Sequence, residues 1–159
     1  MEIEKKYLIN KAEIPFEIEN FESHLIEQAY LCTDPVVRVR KEDDSYYMTY
    51  KGRGLMAREE YNLPLNETAY SHLLKKADGN IITKRRYLIP FNENSLQKPL
   101  TIELDIFEGN FKGICLAEIE FESVEDAESL QPPTWFGKDV TYEKSYHNSE
   151  MSKQIFQVV

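Results

Sequence analysis

Apolar and polar residues alternate along most of this chain, in short runs that end at turn residues. Runs rich in Val, Ile, Tyr, Phe and Thr with a two-residue period predict β-strands. Linkers at 41–45 and 52–54 are too short for helical crossovers, so the strands beside them form antiparallel hairpins. We therefore predict a mainly β fold with eight strands, at residues 2–9, 27–33, 36–41, 46–52, 57–65, 81–90, 100–107 and 114–122.

A few segments carry helical signals instead. Asn66 offers a cap to a helix that Gly79 ends, and Ser123 stands three residues before an acid, which predicts a second helix. A further short helix is expected around residues 20–27. The tail at 139–156 is polar with scattered aromatic residues, and we expect it to dock as a helix or loop over one end or the outer face of the fold.

Charged side chains recur at every second position on several predicted strands. Because alternate side chains of a strand point to the same face, each such group shares one environment. The groups are Glu2, Glu4 and Lys6; Arg38 and Arg40; Lys84 and Arg86; Glu103 and Asp105; Glu118 and Glu120. On a single strand an ordinary solvated face is the simpler interpretation. Repeated over so many strands, the pattern favours a closed barrel whose charged face points inward, with acids on one wall near bases on another.

A closed barrel of this kind has an interior that fits a polyanion together with a cation. Guanidinium groups bind phosphate oxygens in pairs and a Lys ammonium adds a compact charge, so the basic residues suit several linked phosphates. Carboxylates are oxygen ligands for magnesium, manganese or calcium. The basic set is Lys6, Arg38, Arg40, Lys51, Arg58, Lys84 and Arg86, and the acidic set is Glu2, Glu4, Glu103, Asp105, Glu118 and Glu120, with Glu60 beside it.

Composition narrows the classes of protein that fit. The chain of 159 residues is 42% hydrophobic with a net charge of -9, which predicts one domain over residues 1–159 and no nucleic-acid partner. It has no apolar run of the roughly 18 residues that span a bilayer and no signal peptide, so we expect no membrane partner and a cytoplasmic location. The outward apolar face needs cover from the helices, the tail or a second copy, and a homodimer is one expected assembly.

Other chemistry is not supported by the residue pattern. Cys32 and Cys115 lie far apart beside apolar residues, which predicts buried reduced thiols. His24, His72 and His147 have no metal-ligand spacing, so we expect surface or half-buried side chains. The sequence also offers no Ser-His-Asp arrangement and no glycine-rich phosphate loop. The inward charges are therefore the candidate site.

The ordered series of charged residues resembles the CYTH superfamily, the triphosphate tunnel metalloenzymes. Residues 2–6, Glu-Ile-Glu-Lys-Lys, match that family's Glu-x-Glu-x-Lys signature at the start of the chain. The resemblance covers nearly the whole chain and implies a closed eight-stranded antiparallel tunnel with a few flanking helices. After the signature the matching residues are, in order, Arg38-x-Arg40, Lys51, Arg58-x-Glu60, Lys84-x-Arg86, Glu103-x-Asp105 and Glu118-Ile-Glu120.

The resemblance also implies residue roles. The seven basic residues would hold the phosphates, and Glu103 and Asp105 would ligate or orient the metal. Tyr30 stands where thiamine triphosphatases carry a Tyr that works beside a Lys. The family often has a second Glu where this chain has Asn62, so one supporting acid is absent. The expected ligands of Mg²⁺ or Mn²⁺ are Glu2, Glu4, Asp105, Glu118 and Glu120, and the expected catalytic residues are Glu4, Tyr30, Lys84 and Arg86.

From these roles we expect metal-dependent hydrolysis of a triphosphate, with inorganic tripolyphosphate ahead of ATP or GTP. The chain has no evident insertion that would build a pocket for a base or a thiazole ring. A class IV adenylyl cyclase, a thiamine triphosphatase and a non-catalytic polyphosphate or nucleotide sensor are the alternatives. The charges could also simply keep a β-sandwich soluble.

Overall fold

In the computed structural model, which describes residues 1–154, ten strands form one antiparallel sheet. The sheet order is β10-β1-β9-β8-β7-β2-β3-β4-β6, and β5 pairs with β1. Since β5 leads directly into β6, this pairing brings the two sides of the sheet together into a nearly closed barrel. The strands are β1 Glu2–Ile9, β2 Glu22–Thr33, β3 Val36–Glu42, β4 Ser45–Lys51, β5 Ala57–Arg58, β6 Glu60–Leu65, β7 Asp78–Phe91, β8 Leu100–Phe107, β9 Cys115–Glu120 and β10 Phe136–Asp139.

Each of the eight predicted segments contains a strand, so the predicted mainly β barrel is confirmed. The segment at 57–65 divides at Glu59 into β5 and β6, and β10 was not predicted. The predicted helix around residues 20–27 is wrong, because β2 begins at Glu22 and pairs with β7 from that residue onward. Cross-strand pairing with β7 therefore outweighs the local helical signal.

The two helices predicted from their caps are present. Helix α1, Glu67–Leu74, is capped by Asn66, whose side chain accepts a hydrogen bond of 2.7 Å from the backbone N–H of Ala69. Its predicted end at Gly79 is wrong, because the helix ends at Leu74 and Gly79 lies in β7. Helix α2, Val124–Ser129, is capped in the same way by Ser123. These hydrogen bonds satisfy N–H groups that the first helical turn leaves unpaired. No helix in residues 1–154 has both the length and the apolar character needed to cross a membrane.

The apolar face of the strands points away from the barrel interior and is covered by other parts of the chain. Ile102, Leu104 and Ile119 are almost completely buried in one cluster with the loop side chains Phe16 and Trp135 packed against it. The rings of Phe16 and Trp135 meet edge to face, with centroids 5.5 Å apart. The charged face is therefore left to line the interior, as the alternation predicted.

The C-terminal segment, residues 140–152, packs against one end of the barrel. Val140 and Met151 are fully buried, and the N–H of Asn80 donates to the carbonyl of Ser152 at 2.7 Å. Gly79 permits this approach, because a Cβ there would stand 2.3 Å from that same carbonyl oxygen. The segment holds a short helix, α3 Asn148–Met151, and residues 155–156 of the predicted docking tail lie outside the described part.

Two predictions about side-chain exposure were wrong. Cys32 is exposed, because it follows a register shift at the end of β2, whereas Cys115 is buried as predicted; both are free thiols. His147 is buried rather than at the surface, because it lies in the C-terminal segment that packs against the barrel. Its Nε2 donates to the carbonyl of Thr141 at 2.8 Å, which requires that nitrogen to carry a proton.

Acid should destabilise the fold through His147. Burial and the nearby Lys6 charge lower the pKa of His147 from 6.5 to about 4. As the pH falls below 6.5, the unfolded chain binds a proton that the folded chain takes up only near the lowered pKa, so stability drops over this window. Between about pH 7 and about pH 5 we expect the wild type to lose about 1 kcal/mol more unfolding free energy than His147→Gln. Urea unfolding of both proteins at each pH measures this, and equal losses would contradict it.

Candidate active site

The barrel interior contains a cavity of about 80 Å³, which we call the chamber. Strands β1, β3, β4, β5, β6, β7 and β9 contribute charged side chains to it, and inward positions on one strand lie two residues apart. Of the predicted site residues, Glu103 and Asp105 do not line it, although both contact residues that do. The chamber is lined by Glu2, Glu4, Lys6, Tyr30, Val36, Arg38, Arg40, Lys51, Arg58, Glu60, Lys84, Arg86, Glu118, Glu120, Asn148 and Ser149.

Arg38 and Arg40 on β3 are buried cations without an ion-pair partner among residues 1–154. Arg40 donates from Nε to Gln28 at 2.8 Å, and Arg38 donates from Nη2 to Thr49 at 3.1 Å. Within residues 1–154 neither guanidinium has a carboxylate oxygen inside 4.0 Å, and the Nε of Arg38 is buried without any hydrogen-bond partner. Burial, and then the charge of Arg40, lower the pKa of Arg38. A bound anion would relieve this electrostatic cost.

Strands β7, β8, β9 and β1 carry a network of ion pairs. Asp105 accepts two hydrogen bonds of 2.8 Å from Arg86 and lies 2.8 Å from the Nζ of Lys84. Glu118 lies 3.3 Å from Arg86 and 3.1 Å from Lys6. Burial alone would raise the pKa of Asp105, but the charges of Arg86 and Lys84 outweigh it and hold that pKa below its usual value. Asp105 and Glu118 thus hold the side chains of Lys6, Lys84 and Arg86 in fixed orientations.

Glu2, Glu4 and Glu120 form a separate acidic cluster. One carboxylate oxygen of each residue lies within 4.8 Å of the other two, since Glu4 and Glu120 are direct partners across β1 and β9 and Glu2 lies two residues from Glu4 on β1. Burial, the hydrogen bond to Glu60 and the charge of Glu4 raise the pKa of Glu2 to about 8. Burial and the same Glu4 charge raise the pKa of Glu120. Three crowded carboxylates are a donor set that a hard divalent cation fits, since it would replace repulsion with attraction.

Three further predicted site residues are Lys51, Tyr30 and Glu103. Lys51 lies 2.9 Å from Glu2 and 3.4 Å from Glu60, so it connects the acidic cluster with the basic side. Tyr30 is almost fully buried in the chamber wall, and its hydroxyl accepts a hydrogen bond of 3.3 Å from Gln28. Glu103 contacts only Arg86 among the basic residues of the described chain. Burial, opposed by Arg86, raises the pKa of Glu103 to about 7.

Uncharged residues that sequence reasoning missed connect these charges. The Oδ1 of Asn148 accepts hydrogen bonds of 2.8 Å from both Lys84 and Gln28. Burial lowers the pKa of Lys84 to about 7, although Asp105 opposes that shift. Alternation could have found Gln28, which shares a face with Tyr30 on β2. Nothing local marks Asn148, because it reaches the chamber from the C-terminal segment.

Asn62 takes the place of the absent second acid. Its Oδ1 accepts a hydrogen bond of 2.6 Å from Thr49, and its Nδ2 donates to Glu60 at 2.9 Å. Since Thr49 also accepts from Arg38, a short chain of hydrogen bonds links the buried guanidinium to Glu60. The amide therefore keeps the supporting connection without adding a further negative charge.

Comparison with known proteins agrees with this geometry. An inorganic triphosphatase from Nitrosomonas europaea is 33% identical over 159 residues, covering 97% of this chain and 98% of the relative. An inorganic triphosphatase from Acetivibrio thermocellus is 32% identical over 157 residues, covering 96% of this chain and 93% of the relative. A crystal structure of an inorganic triphosphatase superposes with a TM-score of 0.70 at 30% identity, covering 98% of this chain and 96% of that one.

The CYTH domain, as a family model, matches residues 1–153. This match takes in every strand, the chamber and the acidic cluster. With these full-length relatives beside it, the chain belongs to the CYTH domain family.

Proposed function

We propose that this chain hydrolyses inorganic triphosphate to phosphate and pyrophosphate. The observation that carries the proposal is the pair of buried guanidinium groups, Arg38 and Arg40, facing the chamber without a carboxylate within 4.0 Å in residues 1–154. Such groups gain most from a ligand that brings several anionic oxygens together. The names of the relatives support the same substrate class.

Different basic residues would bind different phosphate oxygens of the substrate. Arg38 and Arg40 would bind phosphate oxygens from one wall, and Lys84 and Arg86 from the other. Lys6 and Lys51 would lie between these walls and the carboxylates, 3.1 Å from Glu118 and 2.9 Å from Glu2 respectively. Because their acidic partners already orient these ammonium groups, little rearrangement would be needed when charge grows on the transferred phosphoryl group.

Glu2, Glu4 and Glu120 would hold a divalent cation, for which we expect Mg²⁺ or Mn²⁺. A bound cation of this kind neutralises phosphate oxygens and makes a coordinated water more acidic. Glu4 is buried, and no basic group lies within 4.0 Å of its carboxylate in the described chain. We therefore assign a carboxylate oxygen of Glu4 to accept the proton of the attacking water.

The leaving group would depart as pyrophosphate when the water oxygen attacks the terminal phosphorus and the anhydride P–O bond breaks. Lys84 and Arg86 would stabilise the charge that forms on the departing oxygen. The hydroxyl of Tyr30, close to Lys6 and Arg38 in the wall, is a further donor for a phosphate oxygen. Tyr30 is the single aromatic residue among the described lining residues, so the chamber offers little for stacking a nucleobase.

Product analysis tests the proposed reaction. Tripolyphosphate, ATP and thiamine triphosphate are each incubated with the protein in Mg²⁺, in Mn²⁺ and in EDTA, and phosphate and pyrophosphate are measured. We expect metal-dependent phosphate release, fastest from tripolyphosphate. Pyrophosphate together with cyclic AMP from ATP would instead identify a cyclase, and binding without turnover would identify a sensor.

A further inference from the structure

A second cavity adjoins the chamber at the end of the barrel where the C-terminal segment packs. It measures about 530 Å³ and is formed by the β2–β3 turn, the β4–β5 loop and part of the C-terminal segment. We call it the outer vestibule. Val36, Arg58 and Ser149 line both cavities, so the vestibule borders the chamber directly. Its volume falls in the range of roughly 300–1,000 Å³ that is usual for ligand pockets.

The vestibule has an excess of positive charge in a chain whose net charge is -9. Its charged lining residues are the cations Arg53, Arg58, Lys144 and Lys153 and the acids Asp34 and Glu150. The pairs Arg53–Asp34, at 3.3 Å, and Lys153–Glu150, at 3.1 Å, are solvent-exposed and therefore weak. Lys144 is exposed and has no carboxylate oxygen within 4.0 Å in residues 1–154. An incoming anion therefore meets cations that its charge can engage.

Arg58 joins the two cavities. Its Nε is buried without a hydrogen-bond partner, and the nearest carboxylate oxygen, on Glu2, lies 3.8 Å from it. That distance is too long for a hydrogen bond. Because the guanidinium lines both the chamber and the vestibule, an anionic chain passing from one to the other would satisfy this donor.

The lining chemistry favours phosphates over the organic part of other triphosphates. Of the described residues that line the vestibule, none is Phe, Tyr or Trp, and the one imidazole, that of His147, is buried, so the vestibule offers a nucleobase little aromatic surface. The positive ring of thiamine would be repelled by the excess of cations. Small lining residues such as Gly52, Gly54 and Ser149 leave room for an unbranched chain.

We propose that the outer vestibule binds the overhanging phosphates of linear polyphosphates longer than three units. The proposal rests on the proposed function of the chamber, which would hold the terminal three phosphates. The vestibule then acts as an extension of the substrate site that distinguishes chain length. It adds no chemical step to the hydrolysis.

Calorimetric binding in EDTA and low salt tests the vestibule without turnover. The probes are tripolyphosphate, linear hexapolyphosphate and ATP. The vestibule variant is Arg53→Gln with Lys144→Gln, and the control is Lys75→Gln with Lys76→Gln, which removes two exposed charges outside the vestibule. We expect the wild type and the control to bind hexapolyphosphate about tenfold more tightly than tripolyphosphate, and the vestibule variant to lose most of that preference. Affinity for tripolyphosphate and ATP should stay within about twofold in all three proteins.

Several outcomes would contradict the proposal that the vestibule binds overhanging phosphates. These are equal wild-type affinity for the two polyphosphates, an equal loss for all three probes in the vestibule variant, or the same loss in the control. A gain for ATP that depends on Arg53 and Lys144 would assign the cavity to nucleotides instead. Phosphate release in Mg²⁺ is measured separately. Length-dependent binding without phosphate release would contradict the proposed hydrolysis and still support the vestibule.

Discussion

Replacing Arg40 with alanine should lower kcat/KM for tripolyphosphate by about a hundredfold to a thousandfold, because a buried cation that pairs with the substrate is lost. The fold should survive the change. Arg40 has no carboxylate partner in the described chain, so its removal leaves no acid uncompensated; the Oε1 of Gln28 loses its hydrogen bonds from Arg40, while its Nε2 still donates to Asn148. We expect the melting temperature of Arg40→Ala to stay close to that of the wild type, because relief of an unpaired buried charge offsets the loss of the hydrogen bonds to Gln28.

Two further variants serve as comparisons for Arg40→Ala. Lys41→Ala removes the neighbouring charge on the opposite face of β3, where Lys41 lies over the ring of Tyr46, and should keep activity within about twofold. Arg86→Ala should lose both activity and stability, since within residues 1–154 it leaves Glu103 without a basic partner and removes one of the two basic partners of Asp105 and of Glu118. If Arg40→Ala keeps wild-type activity, the guanidinium does not meet substrate and the chamber is not the site.

The second large effect concerns the acidic cluster. Glu4→Gln should bind Mn²⁺ about a hundredfold more weakly and lose at least as much activity, because it removes one ligand and the proposed proton acceptor. In EDTA the same variant should be more stable than the wild type, since one of the repelling charges near Glu2 and Glu120 is gone. Calorimetry with Mn²⁺ and thermal unfolding in EDTA measure the two effects independently of turnover.

Glu122→Gln is the matched control for Glu4→Gln. Glu122 follows the strand that ends at Glu120 and is exposed like it, but it lies outside the acidic cluster, and its nearest basic partner is Lys98 at 3.9 Å. It should leave Mn²⁺ affinity, stability and activity unchanged. Unaltered Mn²⁺ binding in Glu4→Gln would show that the cation is held elsewhere, and the acidic cluster would then need another explanation.

Most of the barrel could be predicted because strand alternation is a local property. Side chains two apart share a face whatever the strand pairs with, so Glu2, Glu4 and Lys6 had to lie together, as did Arg38 and Arg40. The caps at Asn66 and Ser123 were equally local and were confirmed. The segment around 20–27 was predicted wrongly because its structure depends on pairing with β7, which is far away in sequence.

Local sequence patterns could not predict which charged residues lie together in the barrel. Glu103 and Asp105 resemble metal ligands on the strand pattern, yet the register of β7 against β8 sets Asp105 opposite Arg86. The register of β1 against β9 instead sets Glu4 opposite Glu120 and forms the acidic cluster. Register depends on the whole sheet, so it separates acids that look equivalent along the chain.

The sequence by itself determined the strands, the inward charged face and the kind of ligand that face can hold, because residue type and a two-residue period suffice for these. Only the tertiary structure decided which acids stand together, which guanidinium groups are left unneutralised, and where the interior opens into the vestibule. These features depend on contacts between distant segments, such as Asn148 with Lys84 and Arg58 with Glu2. Barrel closure creates those contacts, and no local pattern along the chain encodes them.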